Sequence, residues 1–130
     1  MERKKQDALF FPRIWLYART GSGHRAVAEQ QLVELREWAI CNGYSIVGQS
    51  CECAQADSFW QPGLFAMLRA VRRGDVDTIA ITRLSRLSRR KRKLSKIIAI
   101  LQLHDVTLTA TEMNLRYQLY LYGLKGISVS

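Results

Sequence analysis

The sequence predicts an α/β protein of three layers, in which a mostly parallel central sheet of four to five strands carries helices on its faces. Two observations point there. Short apolar runs alternate along the chain with stretches of helical period. One of those runs, "VDTIAITRL" from Val76 to Leu84, is apolar enough to be covered on both sides, as the strands of a parallel sheet are. At 130 residues the chain has room for one compact domain.

Taken in order, residues 1–12 are polar and basic before Pro12 and are expected to form a mobile arm. Asp7, Pro12 and Arg13 interrupt any apolar run of the length an export signal needs. The first strand is expected at Ile14 to Ala18, followed by the turn "RTGSG". A helix follows whose Ala28, Leu32, Leu35 and Ala39 share a face with Trp38 beside them, and Asn42-Gly43 is a good stop for it. Tyr44 to Val47 reads as the second strand, and "GQSCECAQADSFWQ" as an irregular segment. Pro62 opens the next helix, with Leu64, Leu68 and Val71 on one side, and Gly74 closes it. After the third strand comes a basic run, then a helix through Leu94, Ile97, Ile98 and Leu101, then "VTLTATE" as the last strand. Residues 113–130 show neither a clean helical stripe nor a capped start. Trp15, Leu16, Trp38 and Phe65 are expected in the core, and His24 and His104 at surface or cap positions.

Twenty Lys and Arg against eleven Asp and Glu leave a net charge of +9, which suits a polyanionic partner such as nucleic acid. The excess is local: Arg83, Arg86, Arg89, Arg90, Lys91, Arg92, Lys93 and Lys96 fall between residues 83 and 96 without one acid. No run approaches the ~20 apolar residues of a membrane helix, so no membrane partner is expected. Cys41, Cys51 and Cys53 are too few and too badly spaced for a zinc site, and are read as reduced thiols of a cytoplasmic protein that needs no metal or cofactor.

In "RLSRLSR", residues 83 to 89, arginines recur at every third position, and so do Leu84 and Leu87. In a tight turn the leucines dock while the arginines reach out. Arginine's planar fork suits phosphate oxygens, and cations crowded at a helix start oppose the helix dipole unless an anion lies close by. In parallel sheets ligands bind at the carboxyl ends of the strands, which is where both this turn and the "RTGSG" turn fall.

Together "YARTGSG", Gln30 in "AEQQLVELREWAICNGYSIVG", "QPGLFAMLRAVRRGDVDTIAI" and "RLSRLSR" resemble the N-terminal catalytic domain of the serine recombinases, the resolvase and invertase family, over roughly residues 13–112. The resemblance implies a resolvase-like fold, DNA as partner, no cofactor, and strand exchange through a serine linked to the 5′-phosphate. It implies phosphate-contacting roles for Arg19, Arg86 and Arg89 and a supporting role for Gln30, while the basic run itself adds Arg83, Arg90, Lys91, Arg92 and Lys93 as expected DNA contacts.

This chain departs from the family pattern at several points. The family's serine follows Tyr-x-Arg-x directly, and counting from Arg19 that position is Gly21, with Ser22 one residue late. Gln61 stands where the family has an arginine ahead of Pro-Gly-Leu, and Glu52 stands for the family's acid without the Ser-Gly that follows it. The chain ends at Ser130 without the long helix and helix-turn-helix domain of resolvases, so weak sequence-specific docking is expected. The expectation is a DNA-binding, cleavage-impaired recombinase-like domain, acting as a homodimer or beside an active recombinase. The alternatives are an active enzyme using Ser22, and an unrelated α/β nucleic-acid or nucleotide-binding module.

Overall fold

The computed structural model describes residues 11–21, 24–53 and 61–112, together with Asn114, Arg116 and Gly123. Residues 1–10 and most of 113–130, and with them nearly all of the expected arm and tail, lie outside the described residues. Pro12, placed at the end of that arm, is tied to the sheet, because its carbonyl accepts the amide of Ser45 at 2.9 Å.

Among the described residues four parallel strands and three α-helices alternate: β1 (Arg13–Arg19), α1 (Arg25–Cys41), β2 (Ser45–Glu52), α2 (Pro62–Arg72), β3 (Thr78–Ile81), α3 (Lys91–Leu103) and β4 (Thr107–Ala110). Their order across the sheet is β2-β1-β3-β4. The α/β prediction holds, with four strands. Gly43 and Gly74 follow α1 and α2 with φ of +77° and +76°, left-handed values that end a helix at little cost to glycine. His24 and His104 are the caps of α1 and α3.

The second strand is longer than its apolar run suggests. Gly48 to Glu52 belong to β2 rather than to an irregular segment, because β1 supplies a ladder as far as Arg19 opposite Glu52. The register shifts between Ile14 and Trp15, and there the Trp15 indole lies over Gly48 and donates to Ser50 Oγ at 3.0 Å. That cover, with no side chain at Gly48 to signal it, is why the polar stretch reads as loop.

Alternation along the strands divides the core. Ile14, Leu16, Ala18 and Ala80 pack against Leu32, Leu35 and Ala39 of α1. Tyr17, Ile79, Ile81 and Leu108 pack with α2 and α3 on the opposite face. Trp15 and Trp38 are half-buried at the margins, Trp38 stacking on Tyr44 at 5.4 Å. Phe65 is exposed instead of buried, since it points away from the α2 stripe of Leu64, Met67, Leu68 and Val71.

This layering follows from the strand order. The chain moves from β1 to β2 in one direction and from β2 past β1 to β3 and β4 in the other, so crossovers of one hand put α1 on one face and α2 and α3 on the other. The connections leaving neighbouring strands β1 and β3 therefore diverge at their carboxyl ends, and such a point opens a crevice.

A methyl at position 48 would collide with the Trp15 ring. Gly48→Ala is accordingly expected to lower stability by about 1–3 kcal/mol, the usual cost of overpacking, measured by urea unfolding. A value near zero would show that the indole moves aside freely.

Candidate phosphate site at the carboxyl edge

The crevice is bridged by one side chain. Arg19, the last residue of β1, is 4% exposed, and its guanidinium crosses to the segment after β3. Its Nε donates to the Arg86 carbonyl at 2.7 Å and its Nη2 to the Ser85 carbonyl. Those carbonyls belong to the 3-10 turn Leu84–Arg86. Leu84 and Leu87 on either side are fully buried in the α2 and α3 layer, as the three-residue period predicts. Burial of each stabilises by about 1.5–3 kcal/mol and fixes which way the arginines face.

Arg86 is half-buried, and its Nε is shut away from solvent with no partner among the described residues. Burial first, then the charges of Arg83 and Arg89, lower its hold on the proton below that of an ordinary arginine, and Glu112 acts the other way. A group so placed gains most from a nearby anion. Arg86 lines a cleft of about 370 Å³ with Ala26, Val27, Gln30, Gln31 and Glu34 of α1. Arg89 is exposed. Arg83 is also exposed but donates to Glu112 Oε1 at 2.7 and 3.0 Å, a surface pair contributing ~0–1 kcal/mol.

The two glutamines of α1 divide the roles. Gln30 is exposed in the cleft wall, its amide 3.4 Å from Glu34 Oε2. Gln31 is buried and brackets Arg19: its Oε1 accepts the Arg19 amide at 3.3 Å and its Nε2 donates to the Arg19 carbonyl at 3.1 Å. The signal was present in the sequence, since Gln31 falls three residues after Ala28 and four before Leu35, on the apolar stripe itself. Thr82, just past β3, was also missed; its hydroxyl is buried without a partner among the described residues.

Glu52 and Gln61 are both interior. Glu52 is 3% exposed and accepts from Tyr17 Oη at 3.4 Å and from the Leu64 amide at 2.6 Å, so it caps the first turn of α2. Burial and then the Glu52 charge push the Tyr17 phenol well above its usual range, which keeps it a neutral donor. Gln61 is 1% exposed, and its Oε1 accepts from the Lys93 ammonium of α3. Arg90, Lys91 and Arg92 are exposed at the start of α3. Gly21 is exposed after Thr20, whose amide bonds to the Glu52 carbonyl at 2.9 Å; Ser22 lies outside the described residues. Among the described residues no group of three His, Cys, Asp or Glu could hold a metal, and no helix is long and apolar enough to cross a membrane. The structure thus joins Arg19 to the turn of Arg86, puts Gln30 in the same cleft as Arg86, and leaves Arg89 exposed within electrostatic reach of Arg86.

Residues 14–119 match the family model described as the resolvase N-terminal domain. The chain belongs to the resolvase family of serine recombinases. Solved structures of similar fold include the C-terminal catalytic domain of ISC1926 TnpA, an IS607-like serine recombinase, with TM-score 0.72 at 24% identity over 84% of this chain and 77% of that one. A resolvase family site-specific recombinase from Streptococcus pneumoniae gives 0.70 at 21% identity, covering 86% of this chain and 83% of that one. The N-terminal catalytic domain of TP901-1 integrase gives 0.68 at 16%, covering 76% of each. At these identities the structural likeness establishes the fold of this resolvase-family domain alone. No curated protein matches the chain.

Gln31→Leu would remove both hydrogen bonds that Gln31 makes to the Arg19 backbone, a loss of about 1–3 kcal/mol. Gln30→Leu, at an exposed position, is expected to stay within about 0.5 kcal/mol. Chemical denaturation of the two variants tests this, and equal losses would remove the distinction between the neighbours.

Proposed function

We propose that this resolvase-family domain, within residues 13–112, binds DNA backbone phosphates at the carboxyl edge of its sheet and has an impaired strand-cleavage step. The observation that carries the reading is Arg86, a guanidinium with an orphaned buried Nε, held at the mouth of the crevice by a turn that Arg19 fixes. Preset donors of this kind stabilise charge on a phosphoryl group without rearranging. Gly21 offers no hydroxyl to such a phosphate, and Gln61 is buried and neutral where the family has a cation. A domain that keeps the phosphate contacts without the nucleophile would act as a homodimer or beside an active recombinase, occupying DNA or pairing with the competent subunit.

A second reading has one observation in its favour. The spacing that assigns Gly21 to the nucleophile assigns Gln30 to the family's glutamine, yet it is Gln31 that brackets Arg19. If Gln31 holds that role, the same spacing selects Ser22, and a strand-to-helix loop longer by one residue would leave an active enzyme.

Two measurements test these readings. Supercoiled plasmid incubated with the protein and run on a denaturing gel is expected to show no covalent protein-DNA species. A species that appears, and is lost in Ser22→Ala, would establish the second reading instead. Binding to a duplex should weaken with salt at a log-log slope of about −0.9 per phosphate contacted, and Arg86→Ala/Arg89→Ala should reduce that slope by about two contacts. A slope unchanged by the double substitution would take the turn out of the interface.

A further inference from the structure

We propose that the cleft between α1 and Arg86 holds one unpaired nucleotide of the DNA, its phosphate on Arg86 and its base on Gln30 and Glu34, which select bases that carry an exocyclic amino group. The inference rests on phosphate binding at Arg86, as set out above, and adds to it a base preference that resides in this domain.

The cleft of about 370 Å³, a size at the lower end of small-molecule sites, carries both signs of charge: the Arg86 guanidinium and, on α1, the Glu34 carboxylate. Among the described residues no ion pair joins the two, and the acid whose charge reaches Arg86 is Glu112. The opposite charges of the cleft therefore do not neutralise each other. A molecule that answers both is negative at one end and a hydrogen-bond donor at the other, as a nucleotide with an amino-bearing base is. Ala26 and Val27, exposed at the start of α1, add apolar surface for the face of that base.

The polar wall specifies the donor. Gln31 has both ends of its amide on the Arg19 backbone, so Gln30 and Glu34 are the α1 side chains with polar atoms to offer. They lie one helical turn apart, Gln30 Nε2 standing 3.4 Å from Glu34 Oε2. Gln30 Oε1 and Glu34 Oε1 accept no hydrogen bond among the described residues. Two neighbouring acceptors match the two N–H bonds of an exocyclic amino group, and a carboxylate is the acceptor suited to N4 of cytosine. A base still paired in a duplex has one of those N–H bonds engaged, whereas single-stranded DNA offers both without the cost of unpairing. Uracil and thymine carry an oxygen where cytosine carries the amino group, and that oxygen would face the Glu34 carboxylate.

The test measures, by fluorescence anisotropy at neutral pH, binding of the full chain to short single strands of deoxycytidine and of deoxyuridine, equal in length and phosphate number. The deoxycytidine strand is expected to bind about tenfold more tightly. Glu34→Ala, at an exposed position, should bring that ratio near one. Glu29→Ala removes the same charge from an exposed position whose carboxylate acts on Cys51 of β2, outside the cleft lining, and should leave the ratio as it is. Equal affinities in the wild type, the opposite preference, a preference that survives Glu34→Ala, or one lost equally in Glu29→Ala would each overturn the proposal. If Arg86→Ala/Arg89→Ala still reduces the salt slope in such a case, by about 0.7 per contact on single strands, the phosphate reading stands without it. A chain that binds a duplex and neither single strand would overturn the proposal alone, and one that binds no DNA would overturn both.

Discussion

The fork of hydrogen bonds from Arg19 to the carbonyls of Ser85 and Arg86 is the contact on which this molecule's functional edge depends. Neighbouring strands β1 and β3 send their connections to opposite faces of the sheet, so nothing in the secondary structure itself holds the two loops together. A 3-10 turn of three residues also leaves carbonyls that no longer helix satisfies. One planar guanidinium answers both needs, closing the gap and donating to the turn's two carbonyl oxygens. Gln31 completes the arrangement from the other layer by fixing the backbone from which the arginine projects.

Three of the described acids are held by particular partners. Asp77 pairs with Arg13 at 3.1 Å at the amino ends of the strands, where it fastens the opposite rim. Glu52 is turned inward as a helix cap, and Glu112 accepts from Arg83. Arg86 lines its cleft together with Glu34 of α1.

Most of the architecture was readable in the chain because its signals are local. Apolar runs, the three-residue period of the leucines and the helix stops at Gly43 and Gly74 each report on a few consecutive residues, and each element they announced is present. What escaped was relational. The polar end of β2 is a strand because β1 lies beside it, and Gly48 is needed because a tryptophan covers it. Gln30 and Gln31 are alike as residues and differ only in helical phase. The seating of Lys93 on Gln61 joins two helices far apart in sequence, and neither residue's own neighbours in the chain announce it. Phe65 looked like core by its chemistry, and the phase of α2 sends it outward.

The division of the core into two clusters has a consequence for the history of such a chain. The loop after β1 is supported by the layer that α1 covers, whereas the arginine turn is anchored through Leu84 and Leu87 in the layer of α2 and α3. Substitutions that erode the chemistry of the first loop thus need not loosen the scaffold of the second. Descent can vary one of these loops while the other keeps its anchorage.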